Sequence, residues 1–406
     1  MQAAASSIDH SLGQTDRTSS WDGVFALSLG AFALIASEFM PVSLLTPIAA
    51  DLGITEGQAG QGISVSGFFA VLTALFISSV AGRLDRKLLL LVLTGLMIVS
   101  GAIVAFAPTY ETFMAGRALL GISIGGFWSL SAAAAMRLVK KEDVPRALAI
   151  FQGGNALATV IAAPLGSFLG GLIGWRGAFF CVAPIAVMVL VWQMVSLPSM
   201  TVESRTRPGD IFRLFRRTVV ALGMIAASLA FMGHFALFTY LRPYLEVVAH
   251  VDVTTLSALL LLMGISGFVG TMIVGGFLKK GFERTLIAIP VLMAVVAVIL
   301  ALSGGNLVEI AVLMAIWGIL GAASPVAWWT WVARTMPNDA EAGGGLLVAV
   351  VQFAITAGAV VGGILFDNSG YQATFGAGAL LLLIAGGLAL LTTRRAEPAA
   401  GRRMTG

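Results

Sequence analysis

The chain has 406 residues, of which 58% are hydrophobic and 11% are charged, and its mean hydropathy is +0.96. Soluble globular proteins carry about 25% charged residues, so this composition excludes a water-soluble enzyme and predicts an integral membrane protein. The formal net charge of +4 is small, and its distribution indicates membrane orientation rather than a nucleic-acid-binding surface.

Twelve apolar segments follow one another along the chain. Each is long enough to cross a hydrocarbon core of about 30 Å, which needs about 20 apolar residues per helix. The sequence therefore predicts an all-α integral membrane protein with twelve transmembrane helices. These are 23–46, 60–80, 88–107, 112–135, 147–172, 177–196, 218–241, 256–278, 285–303, 307–332, 343–366 and 372–392.

The longest connection, 197–217, contains Pro198, Pro208 and Gly209 and separates the segments six and six. We predict two pseudo-symmetric six-helix bundles, with a polar tail at each end of the chain. The chain has a single cysteine, Cys181, so an intrachain disulfide is impossible. The polar start of the chain has neither the basic opening nor the cleavage site of a signal peptide. The predicted parts are a disordered cytoplasmic tail 1–21, an N-terminal bundle 22–196, a cytoplasmic linker 197–217, a C-terminal bundle 218–393 and a cytoplasmic tail 394–406.

Basic residues lie mainly in the tails and in the connections after even-numbered segments. Only Arg176 and Arg242 follow odd-numbered segments, and Arg117 lies inside the fourth segment. Because cytoplasmic loops carry an excess of Lys and Arg, both termini are predicted to be cytoplasmic. The alternation also supports the count of twelve, since the loss of one segment would scramble it.

The two predicted bundles resemble each other in sequence. Residues 114–133 match 314–333 at identical Met, Ala, Leu, Gly and Trp positions with an offset of 200. The stretches SEFMPVSLLTP and GHFALFTYLRP, which end at Pro47 and Pro243, align with Glu38 over His234 and Phe39 over Phe235. Internal repeats of this kind are typical of secondary transporters, whose site lies near the middle of the membrane.

One acidic residue, Glu38, interrupts the first apolar segment in the stretch IASEFMPVS (35–43). A charged carboxylate at mid-bilayer costs about 2.5–3.5 kcal/mol on the mildest scale, and burial favours the neutral form, so such a group is suited to carry a proton. Pro41 has no N–H for the carbonyl oxygen of Ser37, which frees an acceptor beside the acid. The alternative is a permanently protonated glutamate, hydrogen-bonded to a neighbouring helix.

Arg117 and His234 are the other candidates for proton coupling. Gly121, one turn from Arg117, leaves room for another backbone beside the guanidinium. This favours a paired, inward-facing arginine over one that extends to the membrane surface. For His234, the repeat mate of Glu38, the alternative is a core histidine without a functional role.

Polar residues of the fifth segment, Gln152, Asn155 and Thr159, recur at helical spacing, and a polar stripe in lipid faces the bundle interior. Amide groups beside aromatic faces suit a flat, uncharged or weakly polar molecule such as a purine, although a hydrophobic drug fits the same composition. The predicted substrate-binding residues are Trp128, Phe151, Gln152, Asn155, Trp328 and Gln352.

The sequence contains no phosphate-binding G-x-x-x-x-G-K-[ST] motif, so an ion gradient is the expected energy source. We predict no catalytic residue, metal site or cofactor, because His, Cys and paired carboxylates are nearly absent from the apolar segments. A channel or an integral-membrane enzyme is the more distant alternative. The expected partners are a small-molecule substrate, protons and the lipid bilayer, with no nucleic acid, and the expected state is a monomer.

Several motifs resemble those of the major facilitator superfamily, in particular its drug/proton antiporter branch. AGRLDRK (81–87) resembles the loop signature between the second and third helices, RALLGISIGG (117–126) the fourth-helix motif, and NALATVIAAPLGSFLGGLIGWR (155–176) the antiporter motif of the fifth helix. The resemblance covers about residues 22–393. It implies that Asp85 and Arg146 form part of a cytoplasmic gate and that Glu38 and Arg117 take part in proton coupling.

Within this branch, the stretches 38–61, 125–139, 162–176 and 235–243 resemble bacterial inner-membrane exporters of purine ribonucleosides. The resemblance implies proton-driven antiport of inosine, guanosine or related nucleosides by alternating access. Sugar exporters share some of these stretches, so efflux of sugars or amphipathic drugs is the near alternative.

Overall fold

The computed structural model describes residues 20–81, 84–201, 213–336 and 340–401, and the regular secondary structure of these residues is helical. The α-helices are α1 (Trp21–Leu52), α2 (Glu56–Ala81), α3 (Arg86–Ala105), α4 (Tyr110–Arg137), α5 (Val144–Phe180), α6 (Val182–Ser196), α7 (Thr218–Thr239), α8 (Leu241–Val248), α9 (Val253–Leu302), α10 (Leu307–Thr335) and α11 (Ala340–Gly401), with a 3₁₀ turn at Lys141–Asp143.

The described residues contain nine stretches that are long and apolar enough to cross a membrane, and three of these stretches are broken by a glycine outside helical geometry. The breaks at Gly174, Gly281 and Gly370 fall between predicted spans that are neighbours in sequence. Gly174 has φ of 75° and Gly370 has φ of 76°, a region that side chains with a Cβ avoid. The three breaks confirm the prediction of twelve spans.

Several parts of the predicted domain scheme lie wholly or partly outside the described residues. These are residues 1–19 of the N-terminal tail, 82–83 of the predicted loop signature, 202–212 of the linker, 337–339 of the C-terminal bundle and 402–406 of the C-terminal tail. Towards the C-terminus, α11 continues to Gly401 through part of the segment predicted as a tail.

The helices form two halves, each with its own core. One core is formed mainly by residues of α1–α6 and the other mainly by residues of α7–α11. Close helix crossings depend on glycine: a Cβ at Gly125 of α4 would overlap the carbonyl oxygen of Ala70 in α2, and a Cβ at Gly270 of α9 would overlap that of Ile319 in α10. Small residues at these crossings fit the way in which helices pack in lipid, through close backbone contact.

The bundle has two chemically different ends. We call the end that carries Arg86, Arg137 and Arg334 the basic end, and the end that carries the Gly53 turn between α1 and α2 the Gly53 end. Gly53 adopts a left-handed conformation with φ of 64° and ends α1.

Candidate functional site

Glu38 is placed by α1 inside the protein, where the two halves meet. Its side chain is 3% exposed, and the Gln352 amide Nε2, from α11 in the other half, donates to the carboxyl Oε1 at 3.4 Å. The Glu38 carboxyl is therefore part of the contact between the two halves.

Arg117 of α4 is fully buried beside this acid and ties three helices together. Its guanidinium donates to the carbonyl oxygens of Gly62 at 2.9 Å, Ser37 at 2.8 Å and Glu38 at 3.1 Å, and to the Ser66 hydroxyl at 2.9 Å. The Ser37 carbonyl is the acceptor that Pro41 frees from the helix. The arginine therefore satisfies the backbone of α1 at the point where a proline interrupts it.

His234 of α7 lies in an aromatic cluster. Its imidazole stacks on Trp317 of α10 with ring centroids 5.3 Å apart and an interplanar angle of 16°, and on Phe238 at 5.6 Å and 28°. Gly321 makes room for this ring, since a Cβ there would lie 2.7 Å from its Cε1 atom.

Phe39 of α1 joins this cluster from the other half. It stacks on Phe235 with centroids 5.7 Å apart and lies edge-on to Phe238 at 6.2 Å. Phe39 and Phe235 are repeat mates, so equivalent positions of the two halves contact each other. The sequence alignment of the repeats paired these two residues, but it could not show that their rings touch.

The residues predicted to line a pocket on α4 and α5 differ in accessibility. Gln152 is exposed and Asn155 is half-buried, whereas Phe151 is 2% exposed and packs edge-on against the half-buried Trp128 at 5.7 Å. In this conformation Gln152, Asn155 and Trp128 are accessible at the protein surface, and Phe151 is not.

Trp328, which is also predicted to line the pocket, is enclosed in this conformation. Its side chain is 1% exposed and packs against Trp331 in the core of the C-terminal half, with centroids 5.8 Å apart. Periodicity alone does not separate a core tryptophan from a pocket tryptophan, since both lie on an inward helix face.

Asp85 begins α3 at the basic end and joins its first turn to the chain after α6. Its carboxylate accepts hydrogen bonds from the Lys87 N–H at 2.8 Å, the Met200 N–H at 2.8 Å and the Ser199 hydroxyl at 2.5 Å. Partial burial raises the pKa of Asp85, but these hydrogen bonds outweigh that effect and leave the pKa below its ordinary value. Arg146, the other predicted gate residue, lies with its guanidinium 5.1 Å from the centre of the Trp21 ring.

At the Gly53 end, an ion pair within α8 is hydrogen-bonded to α1 of the other half, and the sequence did not predict this contact. Arg242 of α8 donates to Glu246 at 2.8 Å and to the carbonyl oxygen of Ser43 in α1, and the Thr46 hydroxyl donates to Glu246 at 2.5 Å. Pro47 lacks the N–H that would otherwise serve the Ser43 carbonyl. Arg242 could have been singled out because it is one of only two basic residues that follow odd-numbered segments.

A second connection at this end is made by Asp367 of α11. Its carboxylate accepts from the backbone N–H of Gly57 at 2.9 Å and from the Thr55 hydroxyl at 2.6 Å, so it caps the first turn of α2 from the opposite half. In the next turn of α2, a Cβ at Gly60 would overlap the hydroxyl of Tyr240, the residue between α7 and α8. The two halves are therefore closed against each other at the Gly53 end.

Two homologous helical bundles, joined around a buried carboxyl and closed at one end, define a multi-pass membrane transporter. The sequence model of the Major Facilitator Superfamily matches residues 27–344. The chain belongs to this family.

Similar proteins carry two different names. A protein of Pseudomonas aeruginosa named transcription regulatory protein OpdE is 58% identical over 388 residues, which cover 95% of this chain and 96% of that protein. A protein of Salmonella typhimurium named purine ribonucleoside efflux pump NepI is 42% identical over 372 residues, which cover 92% of each chain.

The fold is also similar to that of solved transporters. The crystal structure of the nucleoside transporter NupG (D323A mutant) superposes with a TM-score of 0.77 at 14% identity and covers 91% of this chain and 98% of that chain. At this level of identity the likeness establishes the fold.

Proposed function

We propose that this protein is a proton-coupled antiporter that exports purine ribonucleosides such as inosine and guanosine by alternating access. The observation that carries the proposal is the buried Glu38 carboxyl, which lies beside Arg117 and is hydrogen-bonded to Gln352 of the other half. Intramembrane ionisable groups of this kind mark proton relays and substrate pathways.

The chemistry of Glu38 explains how a proton and a substrate could exchange. Ionised Glu38 accepts from the Gln352 amide, whereas a protonated carboxyl can donate as well as accept. Arg117 is held on backbone oxygens, including that of Glu38, so its positive charge stays near the acid in either state. We propose that proton binding at Glu38 changes the contact between the halves and that Arg117 favours proton release.

Orientation follows from the positive-inside rule. If the basic end is cytoplasmic, both termini lie on the cytoplasmic side of the bacterial inner membrane and the Gly53 end faces the periplasmic side. The described conformation is then closed to the outside by the contacts of Arg242 and Asp367. We propose Asp85 and Arg146 as parts of the gate on the cytoplasmic side.

The substrate assignment is supported by the exposed and half-buried amides of Gln152 and Asn155 and by the half-buried Trp128. The amides of Gln152 and Asn155 can form hydrogen bonds with the polar groups of a nucleoside, including its ribose. The name of the 42% identical relative supports the same substrate class. Phe151, Trp328 and Gln352 then support the site from within the bundle.

A proton gradient can supply the energy for export. One proton that crosses 100 mV releases about 2.3 kcal/mol, and one pH unit adds about 1.4 kcal/mol. Together these support a substrate concentration ratio on the order of 500 for one proton per substrate.

The experiment is uptake of labelled inosine, guanosine, arabinose and ethidium into inverted membrane vesicles with an imposed pH gradient. We expect saturable uptake of the two nucleosides and its loss in Glu38→Gln, which cannot titrate. Glu283→Gln, the same replacement at an exposed position near the Gly281 break, serves as the matched control. Uptake of arabinose or ethidium without nucleosides would replace the proposed substrate, and proton-driven uptake by Glu38→Gln would remove Glu38 from the mechanism.

The name of the 58% identical relative raises the question of a role in transcription. We propose that any such effect of this chain arises from the small molecules that it removes from the cell, since its basic residues follow the membrane orientation pattern. Transcript levels in cells that carry Glu38→Gln test this. They should match those of a deletion strain, whereas wild-type levels in cells with the inactive transporter would show a regulatory role independent of transport.

A further inference from the structure

The two halves place chemically different residue pairs at equivalent positions. Glu38 and His234 are repeat mates at an offset of 196, and Arg117 and Trp317 are repeat mates at an offset of 200. In the N-terminal half Arg117 donates to the backbone of Glu38, and in the C-terminal half Trp317 stacks on His234. The same location is therefore ionic in one half and aromatic in the other.

The rings of the aromatic cluster differ in accessibility. Trp317 is 1% exposed and forms the base of the cluster, while His234, Phe39 and Phe238 are each half-buried. Phe39 comes from the other half, so a ligand at this cluster would touch both halves at once.

The ring nitrogens indicate which form of His234 fits this environment. The imidazole Nδ1 is buried and has no hydrogen-bond partner among the described residues, and the same holds for the indole Nε1 of Trp317. A charged imidazolium carries two N–H donors, and the donor at Nδ1 would be buried without an acceptor. The neutral ring avoids that cost and leaves Nε2 as the nitrogen that can bond to a ligand.

We propose that His234, Phe238 and Phe39, supported from below by Trp317, form the subsite that binds the planar ring of the exported molecule, and that His234 recognises the ring rather than carrying the transported proton. The inference rests on the proposed function, since it assigns the substrate ring to a particular place. The N-terminal half then carries the proton chemistry, at Glu38 and Arg117, and the C-terminal half recognises the ring, at His234 and Trp317.

The ligand class follows from the chemistry of the cluster. Stacked aromatic faces bind a flat heteroaromatic ring, and one neutral N–H donor at its edge favours a ring with an acceptor nitrogen or carbonyl group. A purine nucleoside has both features. A sugar without a base has no flat face and would gain little from this subsite.

The test compares inosine binding to the purified transporter with inosine export at saturating concentration. His234→Phe keeps a ring but removes the N–H, and we expect about tenfold weaker inosine binding, a matching rise in KM and proton-driven kcat within about twofold of wild type. Phe238→Leu removes one face of the cluster and should weaken binding about five- to tenfold. His250→Gln, an exposed histidine outside the spans, is the control and should change neither quantity. Equal melting temperatures establish that the variants fold.

Unchanged inosine binding in His234→Phe together with loss of proton-driven export would identify His234 as a proton carrier and overturn the proposal. Unchanged binding in Phe238→Leu would overturn it as well. Binding of ethidium instead of nucleosides, with the same dependence on His234, would support the subsite while it refuted the proposed substrate. Transport of arabinose without binding of either planar compound would refute both.

Discussion

Replacing Thr46 by valine tests whether the contacts at the Gly53 end hold the two halves closed. Valine keeps the shape of threonine and removes only the hydroxyl that donates to Glu246 at 2.5 Å across the halves. The lost bond exists only while this end is closed, so the replacement should favour the state in which the Gly53 end is open.

The expected size of the effect follows from the surroundings of Glu246. Hydrogen bonds to charged groups contribute about 1.5–3 kcal/mol. Glu246 is 27% exposed and keeps its bond from Arg242, so the lower limit applies. A change of about 1.5 kcal/mol corresponds to an approximately tenfold increase in the ratio of open to closed molecules.

Distances between spin labels at the Gly53 end measure this ratio. Glu111 and Ser369 are exposed, lie in different halves and can carry labels on cysteines in a Cys181→Ser background. Pulsed electron resonance should show a larger long-distance population in Thr46→Val. Thr73→Val is the matched control, because the Thr73 hydroxyl bonds within its own helix to the Phe69 carbonyl and crosses no interface.

The reasoning fails if Thr46→Val leaves the ratio of the two populations within twofold of the parent protein. It also fails if Thr73→Val produces the same increase, since the effect would then come from loss of any hydroxyl in the bundle. A change towards the short distance would mean that this contact opposes closure.

Three further predictions concern stability and pH. Arg117→Met should lower the free energy of unfolding by about 3–5 kcal/mol in detergent, because four buried hydrogen bonds are lost and their acceptors stay behind. The pKa of Asp85 is lowered in the folded protein, so its contribution to stability is complete above the ordinary carboxyl pKa and is lost as pH falls through the folded value; the protection factor of the Met200 N–H against hydrogen exchange, which corrects for the intrinsic pH dependence, should fall in acid and lose this dependence in Asp85→Asn. Gly125→Ala should destabilise the protein by about 1–3 kcal/mol through overlap with α2, whereas Gly275→Ala, which meets open space, should be neutral or slightly stabilising.

Each of these outcomes can be contradicted directly. A melting curve of Arg117→Met that matches the wild type would mean that water or another group replaces the guanidinium. If the protection factor of the Met200 N–H falls in acid equally in the wild type and in Asp85→Asn, the pH dependence belongs to another group. Equal stability of the two alanine variants would show that α2 and α4 can move apart at little cost.

The number and order of spans could be predicted from sequence because lipid imposes a length and a polarity on every crossing helix. The predicted separation between neighbouring spans matches the breaks at Gly174, Gly281 and Gly370. The freed Ser37 carbonyl was predictable from Pro41 alone, because a proline removes one defined donor. Its partner was not, since Arg117 lies on another helix.

Contacts between the halves were the part that sequence could not supply. Asp367 and Gly57 are 310 positions apart, and nothing in their local sequence indicates that one caps the helix of the other. The burial of individual side chains within a bundle could not be predicted from sequence either. Trp128 and Trp328 are repeat mates, yet Trp128 is half-buried and Trp328 is enclosed. Equivalent positions in a repeat share a location in their own half, but their neighbours differ.

The two prolines of α1 connect that helix to its surroundings in different ways. The acceptor freed by Pro41 is bonded within its own half, and it can remain bonded while the halves move. The acceptor freed by Pro47 is bonded by Arg242 of the opposite half, so separation at that end exposes a carbonyl that no residue of its own helix can serve. An alanine at position 47 would restore that internal donor and make the resting conformation less dependent on Arg242. The preference of the protein for the closed conformation thus depends on Pro47, a residue outside the proposed proton and substrate sites.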